Sequence, residues 1–255
     1  MPIQAIDSDR LYRKIARQLS DLIVSGEFTP GQRLPAERDL ASQLGVSRPS
    51  VREALIALEI EGKVEVRVGA GVFVTKNPPA KASPALASEE HGEGPFELLQ
   101  ARMTVEGETA AHAASDATPA ELAMIRAAVD DLRRCQEEGL PTDAADRAFH
   151  LAIAAATHNG PLSSIVELLW DQGRGKMWKT MEKHFQTAAL RAATLRDHST
   201  IYSAIASGDP GAARDAMKKH LGRVSREFAR GLDVGKVEGA RPEAAPRPAR
   251  RRARP

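Results

Sequence analysis

Residues 45–62 read GVSRPSVREALIALEIEG, and one short helix there carries two different messages. Val51, Ala54, Leu55 and Leu58 recur at i, i+3, i+4 and i+7, the stripe of a helix packed on an apolar neighbour. Arg48 and Arg52 stand on another flank. Ser47 is placed to cap the helix, and Pro49 falls in the first turn, where its missing N–H costs nothing. The helix therefore starts sharply, with a polar, cationic beginning and a core-like end.

Working outward, LYRKIARQLSDLIVSGEF upstream repeats apolar residues at Leu11, Ile15, Leu19 and Leu22 and stops at Gly26, which predicts a first helix. A second follows in TPGQRLPAERDLASQLGVS, opened by Pro35 and faced by Ala36, Leu40, Ala41 and Leu44, with Gly45-Val46 as a tight turn. Downstream, KVEVRVGAGVFVTKN alternates, with Val64, Val66, Val72 and Val74 on either side of a glycine-containing turn, the pattern of a β-hairpin. Helix, helix, tight turn, helix and hairpin is the order of a winged helix-turn-helix, so the cationic helix start is aimed at a DNA major groove.

The 255 residues suffice for two modest domains, and 42% apolar content is enough to bury cores. One cysteine, Cys135, excludes an internal disulfide. The N-terminal MPIQAIDSDRLYRK has no apolar run of signal-peptide length, and no stretch approaches a membrane span, so a cytoplasmic protein is expected. The net charge of +2 conceals an asymmetry: the last fifteen residues, RPEAAPRPARRRARP, hold six arginines and one glutamate, and the rest is net acidic.

Four segments result: a winged helix-turn-helix over 1–76, a linker over 77–95 rich in Pro, Ala, Ser, Gly and Glu, a helical domain over 96–232, and an Arg-rich tail over 233–255 expected to be disordered. The fold class is mostly α, three helices plus a hairpin followed by an all-α bundle of roughly six helices. Thr118-Pro119-Ala120-Glu121 is a capping box, and Asp209-Pro210 repeats the start signal.

The stretch LPAERDLASQLGVSRPSVREALIALEIEGKVEVRVGAGVFV resembles the DNA-binding half of GntR-family bacterial repressors, and the helical remainder resembles the FCD effector domain of the FadR-like branch, over about residues 8–231. PAER, the GVSR-x-S-x-RE helix start and the G-x-G wing occur together and in order. GPFELLQAR, VEVRVGAG-VFV and IVELLW are similar to hexuronate-utilisation repressors. The resemblance implies base and phosphate contacts at Arg38, Ser47, Arg48, Ser50, Arg52 and the wing's Gly69. Arginine can give two parallel N–H bonds to guanine, and serine hydroxyls at a helix start suit phosphates. Pro49 departs from the family, whose members often carry a hydroxyl residue there. It implies a homodimer on double-stranded operator DNA.

In DAADRAFHLAIA, Asp146 and His150 share one helix face, and LRDHSTIYSAIASGD and AMKKHLGRV add His198 and His220 from two further helices. One carboxylate and three imidazoles can converge in a bundle core and suit Zn, Ni, Mn or Fe(II). A helical histidine alone is more often a packing residue. The FCD pattern, D-x-x-x-H and two later helical histidines, matches all four positions and implies a divalent metal, with zinc the first candidate. His158 and His184 match no motif position and are read as ordinary polar residues.

Such a site invites three functions: a metal-dependent enzyme, a sensor whose metal takes a metabolite carboxylate, or an architectural DNA binder with no ligand. No HExxH, nucleophile elbow or phosphate loop supports the first. The sensor accounts for both halves of the chain, so no enzymatic activity is expected. For the metabolite, a small carboxylate and on the resemblance a sugar acid, Arg102 is the candidate clamp, with a salt bridge to Glu106 as its alternative use. The resemblance of KMWKTMEKH to hexuronate repressors adds Trp178 and Lys179. Lactate, gluconate and galactonate are the competing effectors.

Overall fold

The computed structural model describes residues 10–78, 94–173 and 175–230. Most of the 77–95 linker and the whole 233–255 tail lie outside them.

The N-terminal unit contains α1 (Leu11–Val24), α2 (Glu37–Leu44), α3 (Arg48–Ile60), β1 (Val64–Arg67) and β2 (Gly71–Val74). Tyr12, Ile15, Leu19 and Ile23 of α1 are buried against the Val51–Leu58 face of α3. Gly45 turns between α2 and α3 with φ +65°, a left-handed conformation that a side chain would disfavour. The Ser47 hydroxyl accepts the Ser50 N–H at 3.3 Å and caps α3, with Pro49 in the first turn. In the hairpin Val64 pairs with Val74 and Val66 with Val72, so all four valines face the core. Pro35 does not open α2. The helix starts two residues later, Ala36 in its extended conformation holding the cap position.

The second unit is all helix among its described residues: α4 (Pro95–Asp116), α5 (Pro119–Glu137), α6 (Asp143–Ala155), α7 (Gly160–Gln172), α8 (Lys176–Phe185), α9 (Ala188–Ala206) and α10 (Pro210–Arg230). Seven helices stand where six were expected, because glycines at 173 and 175 interrupt the span and leave α8 as a separate helix of ten residues. Thr118 and Glu121 form the predicted capping box, and Asp209 accepts the Ala212 N–H at 2.9 Å. The central pair is α4 and α10, with α9 beside both. Small residues Ala110, Ala113 and Ala213 at 0% exposure let these backbones approach closely.

The two units meet along α3 and α8. The Glu59 carboxylate of α3 pairs with His184 of α8 at 2.7 Å and accepts the β1 N–H of Val66 at 3.1 Å. Glu53 of α3 accepts the Phe96 N–H of α4 at 3.1 Å. His184 thus has a specific partner across the junction, and His158, with φ +53°, pairs with Glu121 at 2.9 Å.

Candidate functional site

On the winged helix, the expected contact residues divide into two groups. Arg38, with its side chain 80% exposed, Ser47, the 42% exposed Arg48 and Gly69 at the wing tip are open to solvent, and Ser50 is half-buried beside its bond to Ser47. Gly69 has φ +83°, which the tip requires. Arg52 differs from the expectation of a polar flank, for it is 1% exposed. One α-helical turn after Arg48, it donates to Glu37 of α2 at 2.6 Å, while Arg48 donates to the same oxygen at 3.2 Å. Its guanidinium also lies 5.7 Å from the Phe96 ring of α4. Burial raises the Glu37 carboxyl above its ordinary value, more than the two arginines lower it. Arg52 therefore fixes α2 against α3 from within, and the sequence pattern concealed this because an arginine at i+4 looks like a second surface cation.

In the helical unit, the Asp146 and His150 side chains of α6, His198 of α9 and His220 of α10 come together, each offering one ligand atom within 4.8 Å of the others. Asp146 Oδ1 is 3.1 Å from His198 Nε2 and 3.8 Å from His150 Nε2, and the His198 and His220 Nε2 atoms are 3.3 Å apart. All three imidazoles are buried, and His198 stacks on Phe149 with centroids 4.2 Å apart.

Two carboxylates that the sequence reading did not assign to this site orient the rings. Glu106 of α4 hydrogen-bonds His150 Nδ1, and Asp197 Oδ2 stands 3.6 Å from His220 Nδ1. The Glu106 bond to His150 Nδ1 fixes the proton there and leaves the Nε2 lone pair facing the centre. Burial, then the charges of His220, His150 and Arg102, holds His198 well below the usual imidazole range. Burial also lowers His220, although Asp197 opposes it. Neutral imidazole is the ligand form.

These residues fit a divalent ion. Asp146 Oδ1 and His150 Nε2 are buried without a hydrogen-bond partner, and an uncompensated polar atom costs about 1–3 kcal/mol. One oxygen and three nitrogens is a donor set for Zn or its neighbours, with bonds of about 2.0–2.2 Å. An imidazole lone pair or a carboxylate oxygen can only accept a proton or bind a cation, so a cation at the centre would satisfy all four groups together.

A cavity opens beside the cluster, lined by Arg102, Asp146, His220, Trp178 and Glu182, and a second adjoins it, lined by Lys179 as well as Arg102, Asp146, Trp178 and Glu182. The structure thus brings all three expected effector residues to cavity walls. Arg102 is also engaged by Glu106 at 2.6 Å, the alternative weighed from the sequence, and lies 3.9 Å from the Trp170 ring centroid. Burial pushes Glu106 up, but Arg102 and His150 outweigh it and bring the carboxyl to about 2. Glu182, one turn after Trp178, was missed. Burial raises it to about 7 despite a hydrogen bond from Trp178.

A winged helix with an exposed cationic helix start, joined to an all-helical unit with a cavity in it, is the architecture of a DNA-binding transcriptional regulator. The chain belongs to the bacterial regulatory proteins of the gntR family: that family's model matches residues 11–74, and the FCD domain matches residues 97–223. It is 38% identical over 228 residues to the Uxu operon transcriptional regulator of Escherichia coli (strain K12), covering 88% of this chain and 89% of that protein. With the Exu regulon transcriptional regulator of the same strain it shares 38% over 214 residues, covering 83% and 82%. A putative L-lactate dehydrogenase operon regulatory protein from that strain is 33% identical over 228 residues, covering 84% and 85%. These relatives regulate transcription, so the enzyme reading of the histidine cluster is set aside. Among the described residues no helix is long and apolar enough to cross a membrane.

Proposed function

We propose that this protein is a homodimeric repressor of sugar-acid catabolic genes that leaves its operator when a hexuronate-type carboxylate binds the helical domain. Asp146, His150, His198 and His220 would hold a divalent metal, zinc first among the candidates. A bound ion supplies positive charge and a coordination position to an incoming carboxylate. Arg102, at the wall beside it, is placed to orient that carboxylate, and Trp178 offers a flat face to a sugar ring. DNA is met by Arg38, Ser47, Arg48, Ser50 and Gly69, with Arg52 setting the angle at which α3 is presented.

The observation that carries this reading is the convergence of four metal-suited donors, two of which, Asp146 and His220, line a cavity that also holds an arginine. The resemblance of GPFELLQAR, VEVRVGAG-VFV and IVELLW to hexuronate-utilisation repressors favours a sugar acid of that kind, and the Uxu and Exu regulators are among the similar proteins. The cavity agrees, because Gln136, Thr142, Gln186 and Thr194 also line it with groups that hydrogen-bond hydroxyls. Lactate, the competitor suggested by one relative, would leave them without partners. Gluconate and galactonate would use them and remain the closer alternatives.

Release follows from the placement of α8. Trp178 and Glu182 face the cavity from one side of this helix, while His184, about 200° further round than Glu182, holds Glu59 of α3. A ligand that favours one position of α8 thereby favours one position of the recognition helix. The test is elemental analysis of the purified protein, followed by titration of a sugar-acid panel into the protein–operator complex. Absence of stoichiometric metal, or operator release that is unchanged after chelation, would overturn the metal-centred mechanism.

A further inference from the structure

The cavity beside the histidine cluster has a second charged end. Arg191, near the start of α9, lines it, with its Nη1 donating to the Gln186 carbonyl at 3.3 Å. Its own carbonyl accepts from Gln136 Nε2 at 2.9 Å, which ties α5 to α9 at this point. No carboxylate among the described residues lies within ion-pair distance of Arg191, whereas the other cavity arginine, Arg102, is committed to Glu106. The two acidic residues of the cavity, Asp146 and Glu182, belong to the wall shared with the adjoining cavity, which Arg191 does not reach. Arg191 precedes His198 by seven residues on one helix, so its backbone lies about 10 Å from the histidine cluster. With Arg191 on the cavity wall, a six-carbon chain held at the cluster by one end can extend its other end toward the guanidinium.

We propose that Arg191, with Gln136, Gln186 and Thr194 around it, forms a distal anion subsite that selects a sugar acid carrying a second carboxylate at the far end, a C6 diacid over the corresponding monoacid. This rests on the reading that one sugar-acid carboxylate is taken at the metal cluster. A neutral hydroxyl at the far end would take one hydrogen bond from the guanidinium. A carboxylate takes two and is attracted by the charge. Because Arg191 is exposed at the rim, solvent weakens the gain.

The experiment uses the full chain loaded with zinc and two matched pairs, D-gluconate with D-glucarate and D-galactonate with galactarate, measured by calorimetry. In at least one pair the diacid should bind about 3- to 10-fold more tightly than its monoacid. Arg191→Gln should weaken the diacid several-fold more than the monoacid, so that the preference is lost while the melting temperature is unchanged, and Arg191→Lys should keep most of it. Equal binding of diacid and monoacid by the unmodified protein, or an equal weakening of both by Arg191→Gln, overturns the distal subsite and leaves the metal-site reading standing. Failure of all four acids to bind overturns the distal subsite, and binding that survives removal of the metal overturns both.

Discussion

Replacing Arg52 by alanine should unfold the winged helix before it alters DNA recognition, whereas Arg48→Ala should do the reverse. Arg52 is a fully buried guanidinium 2.6 Å from Glu37, itself 2% exposed. Removing one member of such a pair leaves a buried charge and typically costs about 3–5 kcal/mol. Two features soften the loss here. Arg48 remains bonded to Glu37, and burial has already raised the carboxyl, so protonation is an accessible escape. The expected destabilisation is about 2–3 kcal/mol, or a fall in melting temperature of about 10 °C or more for a unit of this size. Arg48 is 42% exposed, so its ion pair contributes only about 0–1 kcal/mol to stability. As a guanine reader it would instead contribute about 1–3 kcal/mol of discrimination per half-site, felt twice in a symmetric dimer. Urea denaturation followed by circular dichroism, paired with operator titrations by fluorescence anisotropy, separates the two. An Arg52→Ala protein that melts like the parent but has lost its operator preference would show that Arg52 reads bases and that its pairing with Glu37 carries no stability.

Three further outcomes are expected. Burial raises Glu53 at the domain junction to about 7, above its unfolded value near 4.5, so its stabilising contribution is full below pH 4.5 and lost as pH rises through 7. Over that window stability should fall by up to about 3 kcal/mol, and Glu53→Gln should remove this slope in a series of urea melts from pH 4.5 to 8. His198→Ala and His220→Ala should reduce bound metal in elemental analysis and abolish effector-induced release, while operator affinity without effector stays within about threefold. His184→Ala removes the Glu59 contact without touching the cavity, so calorimetry should find effector binding nearly unchanged, and a higher effector concentration should be needed to release DNA; loss of effector binding itself would refute the separation of the two faces of α8.

The winged helix was legible because its signals are local. The Ser47 cap, the Gly45 turn and the valine alternation of the hairpin each depend on residues a few positions apart, and the structure contains all three. The four cluster residues were legible for a different reason: a carboxylate and a histidine four apart already share a face, and the FCD pattern supplied the two later histidines that no local signal connects to it. Glu106 and Asp197 were harder to find. Yet Arg102 and Glu106 occupy positions between Leu98, Leu99, Thr109 and Ala110 on the buried face of α4, and a charged pair within such a stripe is a signal that something polar waits opposite. Arg52 was misplaced because its partner, Glu37, is fifteen residues away on another helix. Nothing in a helical wheel distinguishes a cation aimed at DNA from one aimed at a buried acid.

That same long-range pairing decides how a ligand could act on DNA at all. Helix α3 is held at Glu37 through Arg52, at Phe96 through Glu53, and at His184 and the wing through Glu59. Two of these three contacts reach the helical unit, one to the start of α4 and one to α8, and both helices also line the ligand cavity through Arg102 and Trp178. To shift a two-state equilibrium from almost wholly DNA-competent to almost wholly released, an effector needs about 5.5 kcal/mol of differential affinity. No single partly exposed ion pair carries that much, since each contributes at most about 1 kcal/mol. The discrimination must therefore arise in the buried part of the site, where the histidine cluster and Arg102 stand, and travel through α4 and α8 as rigid bodies. The junction pairs set which arrangement of α3 is coupled to which arrangement of the cavity, and weakening one of them should change the concentration of effector that is needed without changing the chemistry that recognises it.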